Sequence, residues 1–424
     1  MEVPQEIYDA IVFHVENCQY NDSGCAARST EIYSEKARKR LSVLRLVNQG
    51  FCRSASIRLF RTIRVVCSID SMSRDPNHSA PKSLFELSKS RYCLDVRKVV
   101  VCIIGGHFVG LMDPDAPGLR QFMQDLAAVL PECLADFRRL SSFTFSVRPR
   151  LKGEPCHETL REQFAAIMAN TFRYVPFGGL EELELNLPLT QDFAALLNEG
   201  RSTPDRFSIR SALRTVKHLA LTVSDSTGFG GRPYDTMEPS AGQAEFPNNK
   251  YACDFFEWVG LATNLESLDL FCTHVLDMDV LDLTNLNKLR VLDICRIKIS
   301  LSRLQFLVEQ NRTSLRVIWL GSVELKTGTW TDALIGLCHL PHLEYFYAGS
   351  VGYSSDGESA HWRSSGYDFR PIASIHGPDH RALKKLERQV VATRRAHQLP
   401  ELQPSDDGMY AFDSPVEDIL PGDE

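Results

Sequence analysis

Residues 265–270 read LESLDL, 289–294 LRVLDI, 315–320 LRVIWL and 343–348 LEYFYA. Each is an apolar residue, two residues, a second apolar, one residue and a third: Leu265, Leu268, Leu270; Leu289, Leu292, Ile294; Leu315, Ile318, Leu320; Leu343, Phe346, Ala348. The second and third apolar positions are two apart, so on an extended strand they point the same way. The first seats the turn that enters the strand. A single strand of this kind cannot bury its face, but stacked copies in a parallel array bury a continuous core. The anchors advance from 265 to 289 to 315 to 343, in steps of 24, 26 and 28 residues. Steps of that size mark a repeat architecture.

Working outward, the same pattern stands at Leu180, Leu183, Leu185 and at Val216, Leu219, Leu221. Weaker copies lie at Leu140, Phe143, Phe145, at Val96, Val99, Val101 and at Phe60, Ile63, Val65. Steps between these earlier copies run from 36 to 49 residues, so fuller helices or insertions must fill them. Helical spacing between the hexads predicts helices over 118–130, 158–169, 191–197 and 301–309; in the last, Leu304 and Leu307/Val308 share a face. An ordinary α/β domain with parallel strands is the alternative to a solenoid. The hexad itself resembles that of leucine-rich-repeat proteins over roughly residues 60–350, and Asn186 stands where that family places an asparagine after the strand. The resemblance implies an α/β solenoid with parallel strands over 61–350.

Ahead of the repeats, residues 3–15 read as an amphipathic helix with Pro4 in its first turn and Ile7, Ile11 and His14/Val15 along one side. Polar residues 17–33 read as a loop. A second helix over 34–47 ends LSVLRLV, apolar on nearly every side, and a third over 51–60 aligns Phe51, Ala55 and Leu59. A helix apolar all round has two things to pack against, so one face is left for a partner. VPQEIYDAIVFHV at 3–15 and LSVLRLVNQGFCRSASIRLFRTI at 41–63 resemble the F-box, in the fungal form that precedes leucine-rich repeats. Val3 stands where Leu is usual before Pro4, and 16–35 forms an insertion. The resemblance implies a three-helix F-box-like unit over 1–60 that docks the Skp-type adaptor of a cullin–RING ubiquitin ligase. Carried over by position, Val3, Pro4, Ile7, Ile11, Leu41, Leu44 and Val47 would touch that adaptor. From Lys36 to Arg64 there are nine Lys/Arg and no acid, a charge that would steer an acidic partner and also resembles a solvated helix face.

The residues that alternate with the buried pair face the concave side of such a solenoid: Glu182, Glu184, His218, Asp269, Phe271, Val291, Asp293, Val317, Trp319, Tyr345 and Tyr347. Aromatics beside carboxylates suit protein recognition. Asp269, Phe271, Asp293, Trp319, Tyr345 and Tyr347 are therefore the expected contacts to a protein substrate with basic and apolar groups. Two stretches, 224–252 and 349–379, read as long irregular loops. An irregular segment and basic helix follow over 351–397, with six Lys/Arg and one Glu between 380 and 397. The tail over 398–424 carries eight acids from Glu401 onward and no Lys/Arg, and reads as disordered.

The remaining composition narrows the class of function. Twelve cysteines are scattered, with apolar neighbours such as VVVCIIG and LDICRI and no Cys-x-x-Cys. That is the usage of a reduced intracellular protein, cytoplasmic or nuclear. The first residues have no basic segment before the apolar stretch, and no window approaches a membrane span. The sequons at Asn21 and Asn311 read as chance. The chain contains no GxxxxGK[ST], no HExxH and no GxSxG. Asp277, Asp279 and Asp282 lack calcium-loop spacing and read as acids at a helix start. No enzyme, cofactor or metal is expected, nor a membrane or nucleic-acid partner.

Overall fold

The structure is a computed structural model. It describes residues 3–17, 35–68, 80–104, 117–148, 158–200, 209–225, 227, 238–273, 276–355, 357–358 and 371–401. Nine strands form one wholly parallel sheet: β1 (Thr62–Ser68), β2 (Lys98–Ile104), β3 (Ser142–Arg148), β4 (Glu182–Leu187), β5 (His218–Val223), β6 (Ser267–Phe271), β7 (Val291–Cys295), β9 (Val317–Gly321) and β11 (Tyr345–Gly349). Their order in space is their order in the chain. A doubly wound domain would reverse direction within its sheet, whereas this sheet never does. The chain is a parallel α/β repeat stack.

Every strand of this sheet begins two residues after the first apolar residue of a hexad, for example at Ser267 after Leu265 and at Tyr345 after Leu343. Burial alternates as the hexad requires in β4, β5, β6, β9 and β11, whereas β3 is buried at both sets of positions and β7 also buries Asp293. Leu268 and Leu270 are buried while Ser267, Asp269 and Phe271 are half-exposed. Register holds these rows together across the sheet, so that Leu221, Leu270, Ile294, Leu320 and Ala348 are successive partners. A single core runs under the sheet from Val65 to Val390.

The longer early steps are filled by full helices, Pro117–Asp136, Glu158–Tyr174 and Thr190–Gly200. Rings fill the broad middle of the stack. Phe172, Phe193 and Trp258 meet edge to face, and the Trp258 Nε1–H donates to the Phe193 carbonyl over 3.1 Å.

In the later, shorter repeats a second parallel sheet replaces the first half of the return. It runs β8 (Lys298–Ile299), β10 (Glu324–Leu325), β12 (Val351–Tyr353) and β13 (Ile372–Ala373). The corner between the two sheets is turned by Arg296, Ser322 and Ser350, all at φ near +55°. The first two corners are tied to the next repeat: Arg296 N–H donates to the Gly321 carbonyl over 2.7 Å and Ser322 N–H to the Gly349 carbonyl over 2.6 Å. The left-handed conformation costs non-glycine residues about 1 kcal/mol, which these hydrogen bonds offset.

The stack does not stop with the hexads at 350. β12 and β13 extend the second sheet, and the helix Gly377–Ala396 lays Ala382, Leu383, Leu386 and Val390 onto the last repeat. This is the helix expected from its basic residues. It is amphipathic, with its apolar side serving as the closing cap of the core.

The three N-terminal helices are α1 (Gln5–Asn17), α2 (Glu35–Leu44) and α3 (Gln49–Arg61). They share a separate small core of Val12, Leu41, Ala55 and Leu59, with Leu44 and Phe51 packed against it. The Asn48 side chain caps α3 by accepting from Phe51 N–H over 2.9 Å. Gly50 lets the Tyr8 ring lie directly on the start of α3, where a Cβ would collide with it. The insertion 16–35 falls almost wholly outside the described residues, as do the Asn21 sequon and the tail beyond 401.

Candidate functional site

Two surfaces stand out. The first is the concave face of the nine-stranded sheet. Register places Glu184, Ala220, Asp269, Asp293, Trp319 and Tyr347 in one row across it. A parallel row holds Glu182, His218, Ser267, Val291, Val317 and Tyr345. The structure therefore brings five of the six expected contacts into two adjacent rows, and Phe271 follows one position further along β6. Asp293 is buried to 7% exposure between Asp269 and Trp319, and the others are half-exposed.

The rings form a continuous surface. Trp319 lies 4.2 Å from Tyr347 and 5.9 Å from Tyr345, centroid to centroid. Tyr347 reclines along its own strand across Gly349, whose missing side chain leaves the space that the phenol fills. Burial pushes the Tyr347 hydroxyl above its ordinary pKa, so it stays a neutral phenol at physiological pH. Cys295 leans in the same way over Gly321. Arg296, at the corner of β7, lies 5.3 Å over the Phe271 ring. The two glycines carry no signal in the hexad, which defines only the buried side of each strand. The N-terminal half of the face is polar, with Lys98 Nζ 3.4 Å from the Glu182 carboxylate and Thr144 Oγ1 donating to Glu184 over 3.2 Å.

The second surface is on α1–α3. Val3, Pro4, Ile7 and Ile11 are exposed along α1, and Val47 is exposed in the turn after α2. Leu41 is not part of that surface: at 0% exposure it is the centre of the small core. Leu44 is half-buried against the same core. The apolar end of α2 points both ways, and helical spacing alone did not say which leucine pointed in. Two residues absent from the expected set belong to the surface instead, Val43 and Leu46, the latter 86% exposed. Gln5 Nε2 donates to the Gly50 carbonyl and to Ser54 Oγ, and Ser54 Oγ donates to Asp9 Oδ1 over 2.6 Å. These bonds hold the start of α1 against the start of α3.

The unit is joined firmly to the first repeat. α3 passes directly into β1 through Thr62, Phe60 stacks on Tyr92 at 4.4 Å, and the Arg45 guanidinium covers both rings. Arg91 donates to the Tyr92 hydroxyl over 2.9 Å, and this bond lowers the pKa of that phenol.

The two stretches expected to be irregular are partly built into the stack. From 224–252, the turn Asn248–Tyr251 lies against Thr190–Gly200, and the helix Ala241–Glu245 sets Gly242 beside Leu189 and Arg161. Asp225 accepts from Thr227 and Ser240 Oγ, and Asn248 binds Thr190 through both N–H and hydroxyl. From 349–379, residues 349–355 and 371–379 belong to strands and the final helix. The intervening 228–237 and 359–370 are outside the described residues.

Asp277 and Asp282 each accept a backbone N–H two residues on, as acids at turn starts do. Lys326 bridges Asp277 and Asp279 from two repeats further on. Among the described residues no cluster of three or more His, Cys, Asp or Glu could hold a metal, and no helix is long and apolar enough to cross a membrane.

The fold defines a parallel α/β repeat protein preceded by a short helical unit. No protein-family model matches the chain, and no curated protein matches it. Solved structures of slight similarity to it include the following two. One is a protein from Bacteroides fragilis, at 10% identity and TM-score 0.29 over 70% of this chain and 75% of that one. The other is the complex of Rad7 and Elc1 from yeast, at 12% identity and TM-score 0.27 over 82% of this chain and 81% of that one. Likeness at these TM-scores carries no argument about function.

Proposed function

We propose that this protein is the substrate-recognition subunit of a Skp–cullin–F-box ubiquitin ligase, acting in the cytoplasm or nucleus. In this reading α1–α3 are the F-box, the stack is a leucine-rich-repeat solenoid, and the concave face holds a target protein. The chain itself performs no bond chemistry. It contributes proximity, bringing a target to an enzyme carried by the cullin.

The observation that supports the reading is the apolar exposure of α1–α3. A unit of three short helices with its own core still exposes Val3, Ile7, Ile11, Val43, Leu46 and Val47. Exposed apolar groups in this number mark a protein interaction surface. Exposed Arg38, Lys39 and Arg40 flank it and suit an acidic adaptor.

Capture of a Skp adaptor by the full chain tests the proposal. Wild type captures it, and Leu46→Asp or Val47→Asp abolishes capture without lowering the melting temperature. Failure of the wild type, where a known F-box succeeds, removes the ligase reading. The alternative is a protein-binding repeat scaffold with no ligase association. Its support is the α3–β1 junction, where the Phe60–Tyr92 stack makes the helices a natural cap for the first repeat.

A further inference from the structure

The closing helix Gly377–Ala396 buries one side and leaves the other charged. Arg381, Lys385, Arg388, Ala392 and Arg395 follow one another at intervals of three and four residues, so they form one exposed line along the helix. The helix has two acids, and neither stands on that line: Asp379 is wholly buried and Glu387 is half-buried. Among the described residues Arg381, Lys385 and Arg388 have no carboxylate partner. Like charges one turn apart repel. A segment of opposite charge laid along the line relieves that repulsion.

The way the chain leaves the helix points to such a segment. Gln398, at φ 56°, caps the helix in the left-handed conformation. Its N–H donates to the Arg395 carbonyl over 3.1 Å, and Leu399 N–H donates to the Arg394 carbonyl over 3.0 Å. The chain turns there and does not run on along the axis. The Arg394 guanidinium donates from Nη1 to the Glu344 carbonyl of the last repeat over 3.1 Å and from Nε to the Pro400 carbonyl over 3.2 Å. The Glu401 carboxylate then lies 3.7 Å from the Arg395 guanidinium, the last cation of the line. Beyond it, residues 402–424 carry seven acids and neither a lysine nor an arginine. At ~3.3 Å per extended residue that length reaches roughly 75 Å, more than twice the ~30 Å rise of the helix.

We infer that the basic face of Gly377–Ala396 is an interaction surface whose occupant is the chain's own acidic segment 402–424, with carboxylates laid along Arg388, Lys385 and Arg381. The Arg395–Glu401 contact is the first pair of that arrangement. Tethering holds the segment near the face at an effective concentration on the order of millimolar. The face is thereby closed to other anionic partners. The inference is independent of the ligase reading, since it involves neither α1–α3 nor the concave face.

The test is zero-length carbodiimide crosslinking of the full chain, which joins a lysine amine to a carboxylate in contact with it, followed by peptide mass spectrometry. In ~50 mM salt, where screening is modest, Lys385 is joined to acids of 402–424, and the product disappears in ~1 M salt. Arg381→Gln with Arg388→Gln lowers the yield at Lys385 roughly fivefold and leaves the melting temperature unchanged, while Glu309→Gln on a neighbouring helix changes nothing. An equal yield in the double variant would mean that tethering alone brings the acids to Lys385, and overturns the inference. No product at Lys385 in the wild type overturns it as well. Mixing unlabelled with nitrogen-15-labelled protein gives products within one isotope; products that join the two isotopes would show that a second copy supplies the acids, and also overturn it. A single-stranded oligonucleotide at about 10 µM leaves the product intact, because the tethered segment outcompetes it. Loss of the product at that concentration would make nucleic acid the preferred occupant, and overturns the inference too.

Discussion

The Tyr353 hydroxyl donates to Asp379 Oδ2 over 2.7 Å, tying the last strand pair of the stack to the helix that closes it. Asp379 is at 0% exposure and also accepts from Ser374 Oγ, Thr331 Oγ1 and Thr331 N–H. The same Tyr353 oxygen accepts from Trp330 N–H over 3.0 Å. Removing the carboxylate leaves several buried donors without an acceptor. Asp379→Ala is therefore expected to cost on the order of 3 kcal/mol. Denaturant unfolding measures the loss, and hydrogen exchange should show Gly377–Ala396 opening ahead of the large sheet. A variant whose closing helix stays as protected as in wild type would refute the assignment of Asp379 as its anchor.

The same carboxylate and its counterpart Asp192 respond to acid in opposite senses. Burial works to raise Asp379, but hydrogen bonds from Tyr353, Ser374, Thr331 and His376 outweigh it and hold the group below the ordinary carboxylate value. Its contribution is present above the unfolded pKa of ~3.9 and disappears as pH falls further. Asp192 is raised by burial to about 6, with the Arg161 guanidinium working the other way. A raised group gives its full stabilisation below ~3.9 and loses it as pH climbs through the folded value. Melting temperature is thus expected to decline between about pH 4 and 6 on account of Asp192. Asp192→Asn should flatten that decline, and Glu387→Gln should flatten its continuation, because burial raises Glu387 to about 7. A wild-type slope retained in both variants would contradict the assignment.

Asn311 shows why an isolated motif misleads. Its amide donates to the Leu286 and Leu307 carbonyls and its Oδ1 accepts from Leu289 N–H over 2.8 Å. At 1% exposure it knits the turn before β7 to the following helix, and no sugar can reach its nitrogen. Asn311→Ala should cost on the order of 3 kcal/mol, because three buried backbone groups lose their partner. Asn311→Asp keeps the acceptor but turns an anion toward two carbonyls. Its deficit relative to wild type should therefore be larger at neutral pH than at pH 4, which thermal melts of both proteins at the two values would show.

The large sheet was legible because the hexad encodes its burial directly. Two inward positions per strand, such as Leu268 and Leu270, fix direction, register and the outward identity of Asp269. Those outward residues were legible for the same reason. The second sheet was not, since β8 and β10 are two residues long and their corners use Arg296, Ser322 and Ser350, where sequence reading looks for glycine. The closing helix read as a charged surface helix, because its anchor Asp379 is a polar residue whose partners lie 48 and 26 residues away. On the helical unit the apolar residues were evident but their direction was not. Helical periodicity assigns residues to faces without naming what each face meets.

That ambiguity between two leucines in one helix–turn can be tested directly. Leu41 sits at the centre of the small core beside Val12, Ala55 and Leu59, while Leu46 projects from the turn that follows α2. Leu41→Ala leaves a cavity in a core of only a few side chains and is expected to cost about 2–5 kcal/mol. In a unit this small the loss should unfold α1–α3 below the melting transition of the stack. Circular dichroism would then resolve two transitions where the wild type shows one. Leu46→Ala removes a side chain that is already in water and should move stability by no more than about 0.5 kcal/mol. Any change in adaptor capture by Leu46→Ala therefore reports on the surface, whereas the same change by Leu41→Ala reports on folding. If Leu46→Ala destabilises the unit as much as Leu41→Ala does, the turn at 45–47 is packed and cannot be the docking surface.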